Sequence, residues 1–294
     1  MSSKLKAVLL LHGIVFLWGF TGIIGKLLHQ SPLVLVWYRM LIASIGLAIY
    51  IFWKKESWFI PKAQRLYVLI TGIVVALHWI TFYYSIHLST ASLGILCLAT
   101  TTFHVVWLEP LLLKLPFNRT KLAFSLVVVI GVAFIARDFK GDVLTALVIG
   151  LFSALLAALF SVSNAKLSQT VRPPVLSLVE LITGFLGIST MLIFQGVTWS
   201  DLSIDANAIY WLLFLGLVCT SFAFMAAIYL VQKLGAYTVS LTINLEPIYT
   251  MLLAAILLKE HELLSLEFYL GASLIVVVLL LNGWVNRERK AIST

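Results

Sequence analysis

Runs of about 20 apolar residues follow one another from end to end of this chain, and only short polar segments separate them. At 1.5 Å per residue such a run makes a helix about 30 Å long, the thickness of a bilayer's hydrocarbon core. The sequence is 62% hydrophobic and 11% charged, with a mean hydropathy of +1.07. Soluble domains carry about 25% charged residues. Lipid is therefore the solvent along the whole length, and no polar stretch is long enough to fold as a soluble domain. The spacing predicts an all-α membrane protein with ten spans, at 7–28, 33–53, 66–87, 91–113, 121–137, 143–165, 174–195, 207–231, 237–258 and 266–285. The first run exceeds a signal peptide's apolar core and offers no small-residue cleavage site, so it reads as a retained helix.

The net charge of +8 does not point to nucleic acid, because the basic residues sit in short clusters between apolar runs. With the N-terminus inside, fifteen Lys and Arg fall in inner segments and four in outer ones. That bias predicts both termini in the cytoplasm. Trp53, Trp58, Trp199, Trp211 and Trp284 fall near span ends, as interfacial aromatics do. Cys97 and Cys219 lie inside apolar runs and read as small core residues, with no disulfide framework and no metal cage. There is no Walker-type glycine loop, no HExxH and no GxSxG. The chain therefore reads as neither an ATP-driven pump nor an enzyme, and it calls for no cofactor.

The two halves resemble each other. "GIIGKLLHQSPLVLVWYR" (22–39) aligns loosely with "VSNAKLSQTVRPPVLSLVE" (162–180), and "STASLGILCLATTTF" with "GAYTVSLTINLEPIY". The predicted organisation is a five-helix repeat over 1–140 and a second over 141–294. Five is odd, so the second repeat enters the membrane inverted. Inverted repeats mark secondary transporters, with the site between the halves near the midplane.

"FLWGFTGIIGKLL", "STASLGILCLATTTF" and "INLEPIYTMLLAAILLKEHELLSLEFYLGASLIVVV" together resemble the EamA family of the drug/metabolite transporter superfamily. The resemblance covers nearly the whole chain. It implies ten helices as two inverted repeats in a bacterial inner membrane, and export or exchange of a small metabolite, often an amino acid. Pro247, Glu262 and Gly271 stand where the family has a proline, an acid and a glycine. The first half departs, with Thr102 in the proline's place and no acid after span 4.

Four charged residues lie inside spans, where each is a functional hypothesis. Glu246 is ~14 Å deep, near the midplane, while Arg39 and Glu180 are ~9 Å from opposite edges. Glu109, ~6 Å from its edge, is placed to reach headgroup water. Arg39 is expected either to pair with Glu246 or to receive a substrate carboxylate, whereas Arg39 and Glu180 differ by ~12 Å in depth. Pro247 lacks an N–H and frees the Ile243 carbonyl, which predicts a helix break beside Glu246. Asn244 and Thr242 add polar groups there. Thr100 and His104, four apart, would share a face in span 4, with His104 able to relay protons. Trp18 and Tyr83, with His78, Trp79, Phe82, Trp37 and Tyr38, are candidates to line an apolar pocket. Asn164 adds a polar group in span 6.

These features predict a secondary transporter that exports or exchanges a small organic metabolite by alternating access. The alternative is a channel or structural membrane subunit. The expected partners are the substrate and the bilayer, without nucleic acid, and a homodimer is left open.

Overall fold

The computed structural model describes residues 3–28, 30–136, 144–246 and 248–250, with single positions 253, 266, 270, 273, 274, 277, 278 and 281. The described secondary structure is helical throughout. Helix α1 spans Ser3–Leu27, α2 Pro32–Lys54, α3 Arg65–Leu88, α4 Ala91–Leu98, α5 Thr101–Leu113 and α6 Arg119–Ala136. In the second half α7 spans Leu144–Leu167, α8 Pro173–Phe194, α9 Ala206–Leu213, α10 Ala223–Leu234 and α11 Ala236–Ile243. Phe214–Phe222 joins α9 to α10 as a π-helical segment.

Local chemistry sets these boundaries. Ser31 accepts the Val34 N–H and Pro32 opens α2, whose lost N–H has no helical partner to miss. Pro173 and Pro174 open α8 in the same way. Thr90 caps α4 through the Leu93 N–H. Gly235, at φ +86°, is the single residue between α10 and α11. Within the helices many hydroxyls turn back on their own chain, such as Thr71 on the Tyr67 carbonyl and Thr242 on Thr238. That satisfies a polar side chain where no water reaches.

Among the described residues seven helical stretches are long and apolar enough to cross a membrane. Predicted spans 1, 2, 3, 6 and 7 agree with observed helices to within about a turn. Two spans differ in kind. The stretch 91–113 is two helices, α4 and α5, parted at Ala99–Thr100. The stretch 207–231 contains the π-helical segment. Most of 237–258 and 266–285, together with Pro247, Glu262, Gly271 and Trp284, lies outside the described residues.

The surface is apolar, as a lipid-facing one must be: Phe52, Phe194 and Trp199 are each at least 85% exposed. Trp53 and Trp58 are also exposed near helix ends. Inside, α3 packs against α7 and α8, while the 206–234 stretch packs against α1 and α2. Close approach needs a glycine in places. A Cβ on Gly72 would stand 2.6 Å from the Glu180 carbonyl oxygen, so α3 and α8 cross there backbone to backbone.

Candidate functional site

Helices from both halves leave a cavity between them. Trp18 and Thr21 reach it from α1, Arg39 from α2, and His78, Trp79 and Phe82 from α3. Phe160, Ser161 and Asn164 come from α7, Phe224 and Ile228 from α10, and Ser240 and Ile243 from α11. Glu246 closes the ring. The lining runs from Arg39 and Glu246 to Val231 and Val239, each of these two valines about a turn from its helix end. By the alternation of successive long helices along the chain, those ends fall on the same side as the N-terminus of α1 and as Lys4, Lys54, Lys166 and Lys233.

Arg39 is 3% exposed and held on three sides. Its Nε donates to Thr220 Oγ1 at 2.7 Å, and Nη1 donates to the Tyr83 hydroxyl at 3.2 Å. Its guanidinium carbon lies 4.0 Å from the Trp79 ring centroid. A desolvated cation over an indole is stabilised by ~2 kcal/mol. Thr220 owes its position to the π-helical register, since its hydroxyl bonds the Leu215 carbonyl five residues back at 2.7 Å. Trp18 Nε1 donates to the neighbouring Cys219 carbonyl at 3.0 Å. A π-helical turn often marks a functional site, and here it supplies the seat for a buried cation.

Glu246 is 4% exposed and faces the same cavity. It makes no ion pair with Arg39. Ion pairs do form elsewhere, Lys121–Glu109 at 2.7 Å and Arg172–Glu56 at 2.5 Å. The direct Arg39–Glu246 bridge offered as one expectation is thus absent, because Thr220, Tyr83 and Trp79 hold the guanidinium. Arg39 and Glu180 likewise form no pair. A buried guanidinium and a buried carboxyl thus line one cavity without an ion pair between them.

The described part of the helix break lies at Asn244–Leu245, where the bonds shorten from four residues back to three: Asn244 N–H to Leu241 O and Leu245 N–H to Thr242 O. It matches the parting of α4 and α5 in the first half. The two breaks meet, as Asn244 Nδ2 donates to Thr102 Oγ1 at 3.0 Å in a fully buried contact.

The other expected site residues divide. Trp18 and Asn164 line the cavity, while Tyr83 stands beside it under Arg39 and donates to the Thr21 carbonyl at 3.4 Å. Tyr83 also borders a second cavity on the opposite side, with Gln30, Leu35 and His87. Thr100 turns back on the Cys97 carbonyl, and its own carbonyl accepts the His104 N–H at 3.4 Å, but neither side chain lines the cavity. His104 is half-buried between Phe103 and Trp107, away from the cavity. Glu180 is fully buried behind Asn164, whose Nδ2 donates to Oε2 at 3.2 Å. Glu109 does not reach headgroup water. It is 5% exposed, receives Lys121 on one oxygen, and receives the Tyr237 N–H on the other at 3.1 Å.

Residues 5–137 and 144–284 match the model of the EamA-like transporter family. The chain belongs to that family. A protein of Archaeoglobus fulgidus described as an uncharacterized transporter is 23% identical over 271 residues, spanning 88% of this chain and 91% of that one. A solved structure described only as a crystal structure of a protein superposes with a TM-score of 0.74 at 15% identity. It covers 94% of this chain and 96% of its own, which shows a shared fold. As a member of the EamA-like family, the chain is a multi-pass membrane transporter.

In this family member the sequence alone did not single out Thr220. Its one signal is a pair of hydroxyls, Thr220 and Ser221, in the apolar run "LVCTSF". Hydroxyls in membrane helices usually bond their own carbonyls, so only the register change reveals that this one also holds an arginine.

Proposed function

We propose that this chain exports or exchanges a small zwitterionic metabolite, an amino acid with a large apolar side chain, by alternating access around the cavity. The observation that carries the reading is the juxtaposition of Arg39 and Glu246. Both charges are buried, they are not paired with each other, and they face one apolar cavity. A substrate carboxylate would take the guanidinium and a substrate ammonium would take Glu246, so an amino acid completes both at once. Trp18, Trp79, Phe82, Phe160 and Phe224 would hold its side chain, since aromatic walls favour flat or branched apolar groups.

The ten-span arrangement as two inverted repeats, over 1–140 and 141–294, is part of the same proposal. The matched breaks at Ala99–Thr100 and Asn244–Leu245 support it. The basic face supports a cytoplasmic location for both termini in a bacterial inner membrane. The cavity lining then extends toward the cytoplasm, the side from which an exporter loads.

Counterflow in proteoliposomes tests the reading. Vesicles loaded in turn with each unlabelled amino acid should take up the labelled form of one or a few, with leucine, phenylalanine and tryptophan foremost. Downhill flux without counterflow would favour a channel instead, and no flux of any amino acid would refute the substrate class.

A further inference from the structure

Behind the cavity wall lies a second acidic group that substrate does not reach. Glu180 is fully buried, its backbone pressed against α3 at Gly72. Asn164 stands between it and the cavity. Among the described residues no Lys, Arg or His lies within ion-pair distance of it. From α2 the charged group is Arg39, which is committed to Thr220, Tyr83 and Trp79. From α7 it is Lys166, placed over the Tyr67 ring, and from α10 Lys233, which donates to Tyr229. Of the titratable groups of α3, the two that flank Gly72, Tyr67 and His78, are bonded to Ser163 and Ser153.

The contact with Asn164 is half of a familiar two-bond ring. Asn164 Nδ2 donates to Glu180 Oε2, while Glu180 Oε1 and Asn164 Oδ1 are both buried without a hydrogen-bond partner among the described residues. A carboxylate and an amide oxygen both accept, so neither can serve the other. A carboxylic acid has one O–H donor. One proton on Oε1 therefore supplies the donor that Asn164 Oδ1 lacks, and it removes a charge that has no counter-ion in a medium where such charges are costly.

We propose that Glu180, with Asn164 as its hydrogen-bond partner, is a proton-binding site separate from the substrate cavity, and that it couples transport to the proton gradient. This rests on the transporter reading above. Glu180 takes one proton from cavity water by way of the Asn164 side and returns one to water on the other side of the cycle. The anionic form, stranded without a partner, blocks the return of the empty cavity but not the crossing of the filled one, so each empty return carries one proton and each substrate crosses the other way after Glu180 has released it.

The test uses the purified full chain in lipid vesicles and the proton itself as probe. Infrared spectra at neutral pH should show the C=O stretch of a protonated buried carboxyl that Glu180→Gln removes and Glu246→Gln retains. The side-chain amide introduced by Glu180→Gln can make both bonds to Asn164, so the variant should fold, and monodisperse gel filtration checks it. In vesicles holding whichever of leucine, phenylalanine or tryptophan exchanges, a pH gradient should drive about tenfold accumulation per pH unit. Glu180→Gln should abolish that drive while leaving one-for-one exchange intact. A neutral-pH spectrum that Glu180→Gln leaves unchanged, or gradient drive that survives the substitution, would overturn the proposal. Failure of every amino acid to exchange, with the Glu180 band present, would sink the substrate reading and leave the proton site standing.

Discussion

Thr220→Val removes one oxygen and preserves the shape of the π-helical segment around it. The lost atom accepts the Arg39 Nε bond at 2.7 Å and itself donates to the Leu215 carbonyl at 2.7 Å. A hydrogen bond to a charged group contributes ~1.5–3 kcal/mol. The guanidinium would keep its stack on Trp79 and its Nη1 bond to Tyr83, but it could rotate about that bond. Its remaining N–H groups would then no longer point at a fixed place for a carboxylate. At ~1.4 kcal/mol per tenfold, half-saturation in amino-acid counterflow should rise ~10–100-fold. The assay is a double-mutant cycle with Arg39→Lys, since a lysine ammonium has no Nε to lose. The two changes should be strongly non-additive, the double variant being little worse than Arg39→Lys. If Thr220→Val leaves half-saturation unchanged, or the two effects add within ~0.3–0.5 kcal/mol, the π-helical seat is not what orients Arg39.

Three further outcomes are expected. Glu246→Gln should weaken counterflow of amino acids ~10–100-fold, by loss of a charged partner, while inhibition by the matching amine-free carboxylic acids changes little. Competition measurements with such pairs check this, and equal loss for both would break the assignment of Glu246 to the ammonium. Gly25→Val should loosen the packing of α1 against α3 beside the second cavity, because even an ideal Cβ there meets Tyr83 Cε1 at 2.6 Å. Overpacking of that kind costs ~1–3 kcal/mol, seen as a lower melting temperature and faster labelling of an engineered Leu35→Cys. Glu109→Gln should cost ~1–2 kcal/mol in unfolding by denaturing detergent. It converts a charge-assisted bond at the start of α11 into a neutral one and breaks a partly exposed ion pair.

Hydropathy read the long apolar helices well, because length and apolarity are what a bilayer selects. The ends of α2 and α8 were legible in Pro32 and in Pro173, since a proline tolerates the first turn of a helix and little else. The parting of α4 from α5 was not, because no proline or glycine marks Ala99–Thr100, and threonines such as Thr100–Thr102 are also at home inside an unbroken membrane helix, where their hydroxyls bond backbone carbonyls. The π-helical register at Thr220 was invisible for a related reason: a one-residue shift in hydrogen bonding leaves hydrophobicity untouched. Depth along a helix placed Arg39 and Glu246 near each other, but depth carries no rotation. Thr220, Tyr83 and Trp79, which hold the guanidinium, belong to other helices and could not be read from it. Glu109 was misjudged on the same ground, since a short distance to the membrane edge does not give a route to water when Tyr237 and Lys121 stand in the way.

The single glycine between α10 and α11 has a mechanical consequence. Phe224 and Ile228 stand on one side of that corner and Ser240 and Ile243 on the other, so two walls of the cavity are joined by a linker with no slack. At φ +86°, Gly235 holds a conformation that side-chain-bearing residues rarely adopt. In the alternating-access proposal the pair would therefore pivot as one lever rather than slide as two rods, and bending would fall at the outer ends of the two arms, the π-helical segment and the Asn244–Leu245 break. Arg39 is tethered to the first of these and Glu246 adjoins the second, so a substrate held by both charges would grip the lever at its two flexible points.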